Sequence, residues 1–515
     1  MSVTMDEQKH RYRRALHVQP VERLTRAQIE GIHGASVKLL AETGIQCAGE
    51  RAAGLYRSAG CEVSENTGKN QKQWNIRFPE KLLKKALSSV PAEVVLGARD
   101  PQNVLYLNAN IPAVYFGTGS EANIYLRSKI ERFASITDSR NMLQYPVFEE
   151  EPGSIAALCE SARLIDHLEH ADFFIRNINI QDEEINSTNK DVNVYFASLL
   201  NTGKHVQGGL TDPGALPAVI SLAKMIAGEQ PHLPLSFIVC PIRSPLFMVS
   251  DSSEKLIAIA REKIPMVISS SPQGGVTAPI QEEGMLVLIN AEILAGIALA
   301  QFSSPGAPVL YGSVPVRARL DNLQDCYGTA EFIQYAAGCA QMARFYKIPC
   351  YSSAGVGDAK RPGIQSIAEK VFSYKGVAAA GAHYIHYAFG LLDGTNIFSP
   401  LQAVLDNALI ALVKDILRIP DWGQGDIDAA FQEIIKTVEG SGMFMRGIRK
   451  QLRRERVSNT FEFFSEKEED QVFVQAQAKL DAYLADDSHT LPDETIKRVY
   501  REIPGLLKSI KGGIS

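Results

Sequence analysis

Two hydrophobic rhythms alternate along the chain. Between about residue 111 and residue 400, short apolar runs recur, each followed by a loop of glycines, amides or small residues. They are Val114–Phe116, Phe173–Ile175, His205-Val206, Ser236–Val239, Met266–Ser269, Val309–Tyr311, Cys350–Ser352 and Tyr384–His386. Between them, longer stretches carry apolar residues at helical spacing: Pro213–Ala227, Ser253–Lys263, Glu331–Tyr346 and Ile364–Ala380. The clearest unit runs from Pro265 to Ser313. There an apolar run enters Ser-Pro-Gln-Gly-Gly, and Glu283–Phe302 follows with Leu286, Ile289, Ile293, Ile297 and Ala300 on one helical face. Ser303-Ser304-Pro305-Gly306 stops it before the next apolar run. Eight strand-and-helix units of this length predict an α/β fold, a TIM (β/α)8 barrel. A doubly wound sheet is the alternative, although eight parallel strands are many for it. The long gap between the first and second strands predicts extra structure there.

The flanks read differently. Residues 1–24 look irregular. Thr25 followed by Gln28 has the spacing of a capping box and predicts a helix through Ala41, with Ile29, Ile32, Val37 and Leu40 on its apolar face. Phe78-Pro79-Glu80 opens another helix through Leu87. Residues 1–110 are expected to be an N-terminal α/β extension packed on the barrel, because no clean linker follows them. Residues 111–400 form the barrel. Residues 401–515 are expected to be helical, over Leu401–Leu417, Ile427–Thr437, Asp470–Leu484 and Asp493–Lys508.

Composition narrows the class of function. The 515 residues are 45% hydrophobic and 22% charged, which suits a large globular core. A net charge of −5 argues against a nucleic-acid surface. The basic cluster Lys9–Arg14 reads as a frayed terminus. No apolar run reaches the roughly 20 residues of a membrane span, and the start has no apolar signal core. Seven cysteines without a CxxC pair fit reduced thiols, so a cytoplasmic protein is expected.

Motifs of phosphate, dinucleotide and metal sites are missing. There is no GxGxxG after a first strand, no GxxxxGK[ST] and no HExxH. Cys240, Cys350 and His205 have no spacing that supports zinc, so no metal site is expected. On a barrel the loops after the strands face the active side. Aromatic residues crowd these positions: Phe174, Tyr311, Tyr351 and Tyr384 are candidates for an aromatic box holding a quaternary ammonium group. The bland reading of each is interior packing. Period-two alternation puts Tyr384 and His386 on one face and Tyr387 on the other. His386 and Arg176 are candidate carboxylate donors. Gln273, Gly274 and Gly275 form a loop whose N–H groups suit an anion, or a simple tight turn. Asp358, in the glycine-rich loop after the seventh strand, is the last candidate. A surface pair with Lys360 is its bland reading.

Two long words carry a resemblance. SPQGGVTAPIQEEGMLVLINAEILAGIALAQFSSPGAPVLYGS and GTAEFIQYAAGCAQMARFYKIPCYSSAGVGDAKRPGIQSIAEK resemble the trimethylamine:corrinoid methyltransferase superfamily, as do LLAETGI at 39–45 and Gly-Ala-His at 381–383. The resemblance covers most of residues 20–410. It implies a TIM barrel and transfer of a methyl group from a methylated amine to Co(I) of a corrinoid. Founding members that use trimethylamine carry pyrrolysine in the active site. This chain has ordinary residues throughout, so it resembles the non-pyrrolysine branch, which demethylates quaternary amines such as glycine betaine, proline betaine or carnitine. The chemistry fits that split: a quaternary ammonium leaves as a neutral amine, whereas a tertiary amine must first be activated. No DxHxxG cobalamin motif is present. The resemblance therefore implies no tightly bound cofactor, a cobalamin supplied by a cognate corrinoid protein, and docking of that protein over the barrel mouth. A homo-oligomer is also expected. A non-catalytic betaine-binding or sensing barrel is the alternative, since the chemistry demands no obligatory acid or base.

Overall fold

All eight apolar runs are strands of one sheet. They are β1 (Ala113–Phe116), β2 (Phe173–Ile175), β3 (His205–Gly208), β4 (Leu235–Val239), β5 (Met266–Ser270), β6 (Val309–Ser313), β7 (Cys350–Ser353) and β8 (Tyr384–His386). The computed structural model describes residues 12–67, 72–134, 142–319, 321–440, 442, 444, 471–486 and 491–510. Each strand from β2 to β7 pairs in parallel with the next in sequence. β8 then pairs in parallel with β1. Leu16–His17 adds a ninth, antiparallel strand beside β1, where irregular chain was expected. The sheet curls until β1 and β2 approach each other. Gly117 and Phe173 form an isolated parallel bridge, and the Asp172 N–H donates to the Phe116 carbonyl at 2.6 Å.

Helices cover the outer face of this mixed α/β fold. Among the described residues Glu282–Ser303 is the longest, with 22 residues. Its sequence suggests one apolar face, yet it is buried on all sides from Met285 to Gln301. The N-terminal segment explains this. Its helix Arg26–Glu42 lies on the outer side of Glu282–Ser303, where Ser36 Oγ donates to the Val287 carbonyl at 2.9 Å. Tyr56, from the helix Glu50–Ala59, donates to the Ala295 carbonyl at 2.9 Å. Glu282–Ser303 is also long and apolar enough to cross a membrane, but nearly all of it is core. Arg26–Glu42 starts as expected, with Thr25 and Gln28 in a reciprocal capping box.

The gap before β2 holds a hairpin of two eleven-residue strands, Ile124–Ala134 and Met142–Pro152. A second hairpin, Glu93–Leu96 with Leu105–Asn108, packs Val94, Leu96, Leu105 and Leu107 against the inner face of the sheet. After β8 come helices Pro400–Leu417, Gln424–Glu439, Gln471–Leu484 and Asp493–Glu502. The last ends earlier than its sequence pattern suggested. Of the basic N-terminal cluster, Lys9 to Arg11 lie outside the described residues. Arg13 is no frayed side chain, because it bonds Asp172 at 2.5 Å and Asn103 at 2.7 Å.

Candidate functional site

Strand alternation sorts the aromatics into two layers. Phe116, Phe174, Phe237 and Tyr311 join the large core beneath the helices. Tyr115, Phe173, Ile175, Val267, Leu310, Tyr351 and Tyr384 form a separate core on the inner face. Two candidates therefore fall outside the inner cluster. Phe174 packs under the helices, while its neighbour Phe173 points inward. Tyr311 also faces outward, and its hydroxyl donates to Asn290 Oδ1 on Glu282–Ser303 at 2.9 Å.

The inward rings make a continuous stack toward the carboxyl-terminal ends of the strands. Phe173 lies 3.6 Å from Tyr384, Tyr384 5.8 Å from Tyr351, Tyr351 4.2 Å from His386, and His386 3.7 Å from Tyr387. Two glycines make room for it. A Cβ on Gly117 would stand 2.2 Å from the Phe173 ring, and one on Gly119 would stand 2.8 Å from both His386 Nδ1 and Tyr387 Cδ1. Tyr387 adopts φ +68°, a conformation rare for a bulky side chain. That turn out of the strand explains why its ring meets His386 although alternation assigns it to the other face.

The stack ends in unpartnered polar atoms. His386 Nε2 is 2.6 Å from Ser353 Oγ, but Nδ1 has no partner. The Tyr384 hydroxyl has none, nor does one amide atom of Gln207, which otherwise bonds Ser236. Burial lowers the His386 pKa well below 6.5, so the ring is neutral near pH 7. Cys240, after β4, neighbours Tyr351 and Tyr387. It is exposed to solvent, yet the surrounding protein pushes its thiol pKa up.

A strap closes over one side. Gln273–Gly274, Val316–Ala318 and Asp325–Cys326 form a small three-stranded sheet. Gln273 Nε2 donates to Asp325 Oδ1 at 2.7 Å and to the Leu323 carbonyl at 2.8 Å. Burial raises the Asp325 pKa, and its carboxylate also bonds Tyr327. The Tyr327 ring stands edge-on to Tyr387 at 6.5 Å. Asp358 holds this strap from below, accepting the Tyr327 and Gly328 N–H groups at 2.9 Å each. Its carboxylate is thus engaged with backbone. Gly275 takes φ +92° and gives its N–H to the Ala278 carbonyl at 2.9 Å, so that turn satisfies itself. Arg176 is buried, and burial lowers its pKa to about 10. It pairs with the half-exposed Glu121. Glu331 pairs with Arg317 at 2.7 Å, while Thr329 caps that helix.

The structure thus brings together Tyr351, Tyr384 and His386. It keeps Gln273, Gly274, Gly275 and Asp358 in or beneath the strap, and sets Phe174, Tyr311 and Arg176 apart from the stack. Sequence alone singles out none of Phe173, Tyr327 and Asp325, and raises Cys240 only as a zinc ligand. Phe173 adjoins the candidate Phe174, and a three-residue run that is apolar throughout carries no inward phase. Tyr327 and Asp325 lie outside any strand-end pattern. Among the described residues, no group of three or more His, Cys, Asp or Glu is placed to hold a metal.

Comparison with known proteins places the chain in a family. The profile of the trimethylamine methyltransferase (MTTB) family matches residues 3–461. The trimethylamine methyltransferase MttB of Methanosarcina thermophila is 30% identical over 403 residues, covering 76% of this chain and 77% of its own. MttB of Desulfitobacterium hafniense (strain DSM 10664 / DCB-2) is 28% identical over 424 residues, 81% and 79%. A glycine betaine methyltransferase of Desulfitobacterium hafniense (strain Y51) is 25% identical over 451 residues, 84% and 85%. With nearly nine-tenths of its length matched, this chain belongs to the trimethylamine methyltransferase family.

Proposed function

We propose that this chain moves a methyl group from a quaternary amine of the betaine type to Co(I) of a corrinoid carried by a separate protein. The observation that carries this reading is the aromatic stack ending in Tyr351, His386 and Tyr387 beside the open Cys240, with no lysine or arginine in it. Aromatic faces hold a quaternary ammonium group by about 0.5–2 kcal/mol per good contact. The Asp325 carboxylate beside Tyr327 supplies counter-charge. His386 Nδ1 and the Tyr384 hydroxyl have free hydrogen-bonding capacity for the substrate carboxylate. The glycine betaine methyltransferase among the relatives supports the same substrate class, as does a sequence of ordinary residues throughout.

The fold takes part in this reading. The bridge between Gly117 and Phe173 and the Ile175 N–H bond to Thr118 Oγ1 at 2.8 Å support closure of β1–β8 into a (β/α)8 barrel. The corrinoid protein then docks at the carboxyl-terminal ends of the strands, in the cytoplasm. In the reaction, the Co(I) electron pair attacks one N-methyl carbon. The carbon–cobalt bond forms as the carbon–nitrogen bond breaks, and that pair stays on nitrogen, which leaves as a neutral tertiary amine. No proton moves. The protein's contribution is to fix the cation and aim one methyl group, which is catalysis by orientation.

The test is spectroscopic. The full chain is mixed with reduced cob(I)alamin, or a reduced cognate corrinoid protein, and a panel of glycine betaine, proline betaine, carnitine, choline and trimethylamine. Loss of the Co(I) band and growth of methyl-Co(III) with a quaternary amine is the expected result. Methyl transfer from trimethylamine alone would overturn the substrate class. Calorimetric binding without methyl transfer to a cognate carrier would overturn the activity.

A further inference from the structure

Lys370 and Asp406 form an ion pair wholly inside the protein, 3.1 Å apart, with neither side chain reaching solvent. Lys370 belongs to helix Ile364–Ala379 and Asp406 to helix Pro400–Leu417. Both also reach backbone outside their helices. Lys370 Nζ donates to the Gly355 carbonyl, and Asp406 Oδ2 accepts the Gly390 N–H at 2.7 Å. Gly355 stands two residues after the end of β7, and Gly390 four after the end of β8. Both turn through the left-handed region, at φ +89° and +76°. Glycine permits such turns but does not by itself fix them. The parts of the candidate site lie between the two tethers. Ser353 Oγ meets His386 Nε2 at 2.6 Å, the Ala354 N–H donates to the His386 carbonyl at 3.1 Å, and Tyr387 follows directly. Neighbours on helix Ile364–Ala379 hold the same loops. Ser373 Oγ accepts the Gly355 N–H at 2.9 Å, Tyr374 donates to the Ala388 carbonyl at 2.6 Å, and Glu369 accepts the Asp358 N–H at 2.9 Å.

We infer that Lys370 and Asp406 are positioning residues of this site, holding the loops after β7 and β8 so that His386 and Tyr387 keep their mutual angle. The inference rests on the methyl-transfer reading for what those rings do. Stability alone does not call for a charge pair here, because well-packed apolar residues of similar volume often serve as well or better. An apolar pair cannot donate to one loop and accept from the other. Lys370 and Asp406 do both at a single point, which ties the two loops to each other as well as to the helices. Catalysis by orientation needs such a tie, since about 1 Å of misplacement costs on the order of 100-fold in rate.

Two double variants of the full chain test it, and neither leaves a lone buried charge. In Lys370→Met with Asp406→Asn, the amide oxygen can still accept from Gly390, so Gly355 alone is released. In Lys370→Met with Asp406→Leu, both loops are released. With the most active amine of the panel above, kcat should fall about 10-fold in the first and about 100-fold in the second. KM should stay within about threefold, because the rings that bind the cation remain, and the melt should stay cooperative. Amide hydrogen exchange should quicken over 354–359 in both variants and over 388–392 in the second only, with 205–208 as protected as in the wild type. A kcat within about twofold of wild type in the second variant overturns the inference. So does a loss of transfer that only follows the folded fraction, with exchange quickened throughout the chain. If the second variant does not fold, the first decides: unchanged kcat or unchanged exchange over 354–359 overturns the inference. A wild-type chain that transfers no methyl group removes the methyl-transfer reading instead, and the exchange pattern alone then decides whether the pair holds the loops.

Discussion

The two ends of the parallel sheet treat buried polar groups in opposite ways. At the amino-terminal end several of them are held by protein partners. His205 meets the Gly97 carbonyl at 2.6 Å and Ser236 Oγ at 2.7 Å. His383 accepts the Cys350 N–H at 3.1 Å and bonds the Asn108 carbonyl at 3.0 Å. Lys204 bonds the Ile165 and Leu168 carbonyls at 2.5 and 2.8 Å. Asp172 is held by Arg13, Lys414 and the Phe116 N–H. Further along the strands, His386, Tyr384 and Gln207 each keep an atom without a partner. A buried polar atom left alone costs about 1–3 kcal/mol. On the proposed function, the unpartnered atoms lie where a ligand would bind, so stability and binding divide along the strand direction.

Four measurements sharpen or break this division. The largest effect is expected at Asp172. Burial alone would raise its pKa, but Lys414 and Arg13 outweigh burial and hold it below the ordinary carboxylate range. Asp172→Asn leaves those cations uncompensated and should cost about 3–5 kcal/mol in urea unfolding. A loss below 1 kcal/mol would show that this end does not anchor the fold.

His386→Phe keeps the ring stack and removes Nδ1. Methyl transfer, followed as methyl-Co(III), should fall about 100-fold, or about 2.7 kcal/mol. The unfolding midpoint should move little. The reverse pattern, stability lost and transfer retained, would erase the contrast between the two ends.

Third is pH. Burial lowers His205 and His383 to about 4, and His386 well below 6.5. The unfolded chain takes up these protons near pH 6.5 while the folded chain does not. Stability is therefore full above about pH 6.5 and falls as pH drops, by about 1.4 kcal/mol per unit for each histidine. For His205 and His383 the loss levels off near pH 4. Urea midpoints between pH 5 and 7 report the slope, and His205→Asn should make it shallower. An unchanged slope in that variant rules His205 out as a contributor.

The smallest effect is expected at Tyr384→Phe. Its hydroxyl has no protein partner, so the change in stability should be within about 1 kcal/mol, and of either sign. A loss of several kcal/mol would mean that the hydroxyl serves the fold instead.

Local pattern made much of this architecture legible. Each of the eight apolar runs is a strand at or within a few residues of its expected bounds, because three to five apolar residues before a glycine-rich loop leave few alternatives. The capping box at Thr25 and Gln28 is a contact between near neighbours, so spacing alone specified it. The two-layer sorting was not legible. A three-residue strand such as Phe173–Ile175 is apolar at every position, so alternation gives no phase. Tyr311 and Phe174 are candidates for the mouth on sequence alone, with packing as the bland reading of each, and the structure packs both beneath the helices.

Sequence by itself determined the order of strands and helices, the ordinary twenty-residue alphabet of the chain and its family. All of these rest on local pattern or on extended similarity. Only tertiary structure decided that Glu282–Ser303 is buried all round, because the helices covering it come from more than 200 residues away. It also decided the makeup of the site. Tyr387 joins His386 through a left-handed turn that propensity disfavours, and Tyr327 arrives on a strap held by Asp358, 31 residues further on. Long-range packing fixes such conformations against local preference, and local preference is all that a short run of sequence encodes.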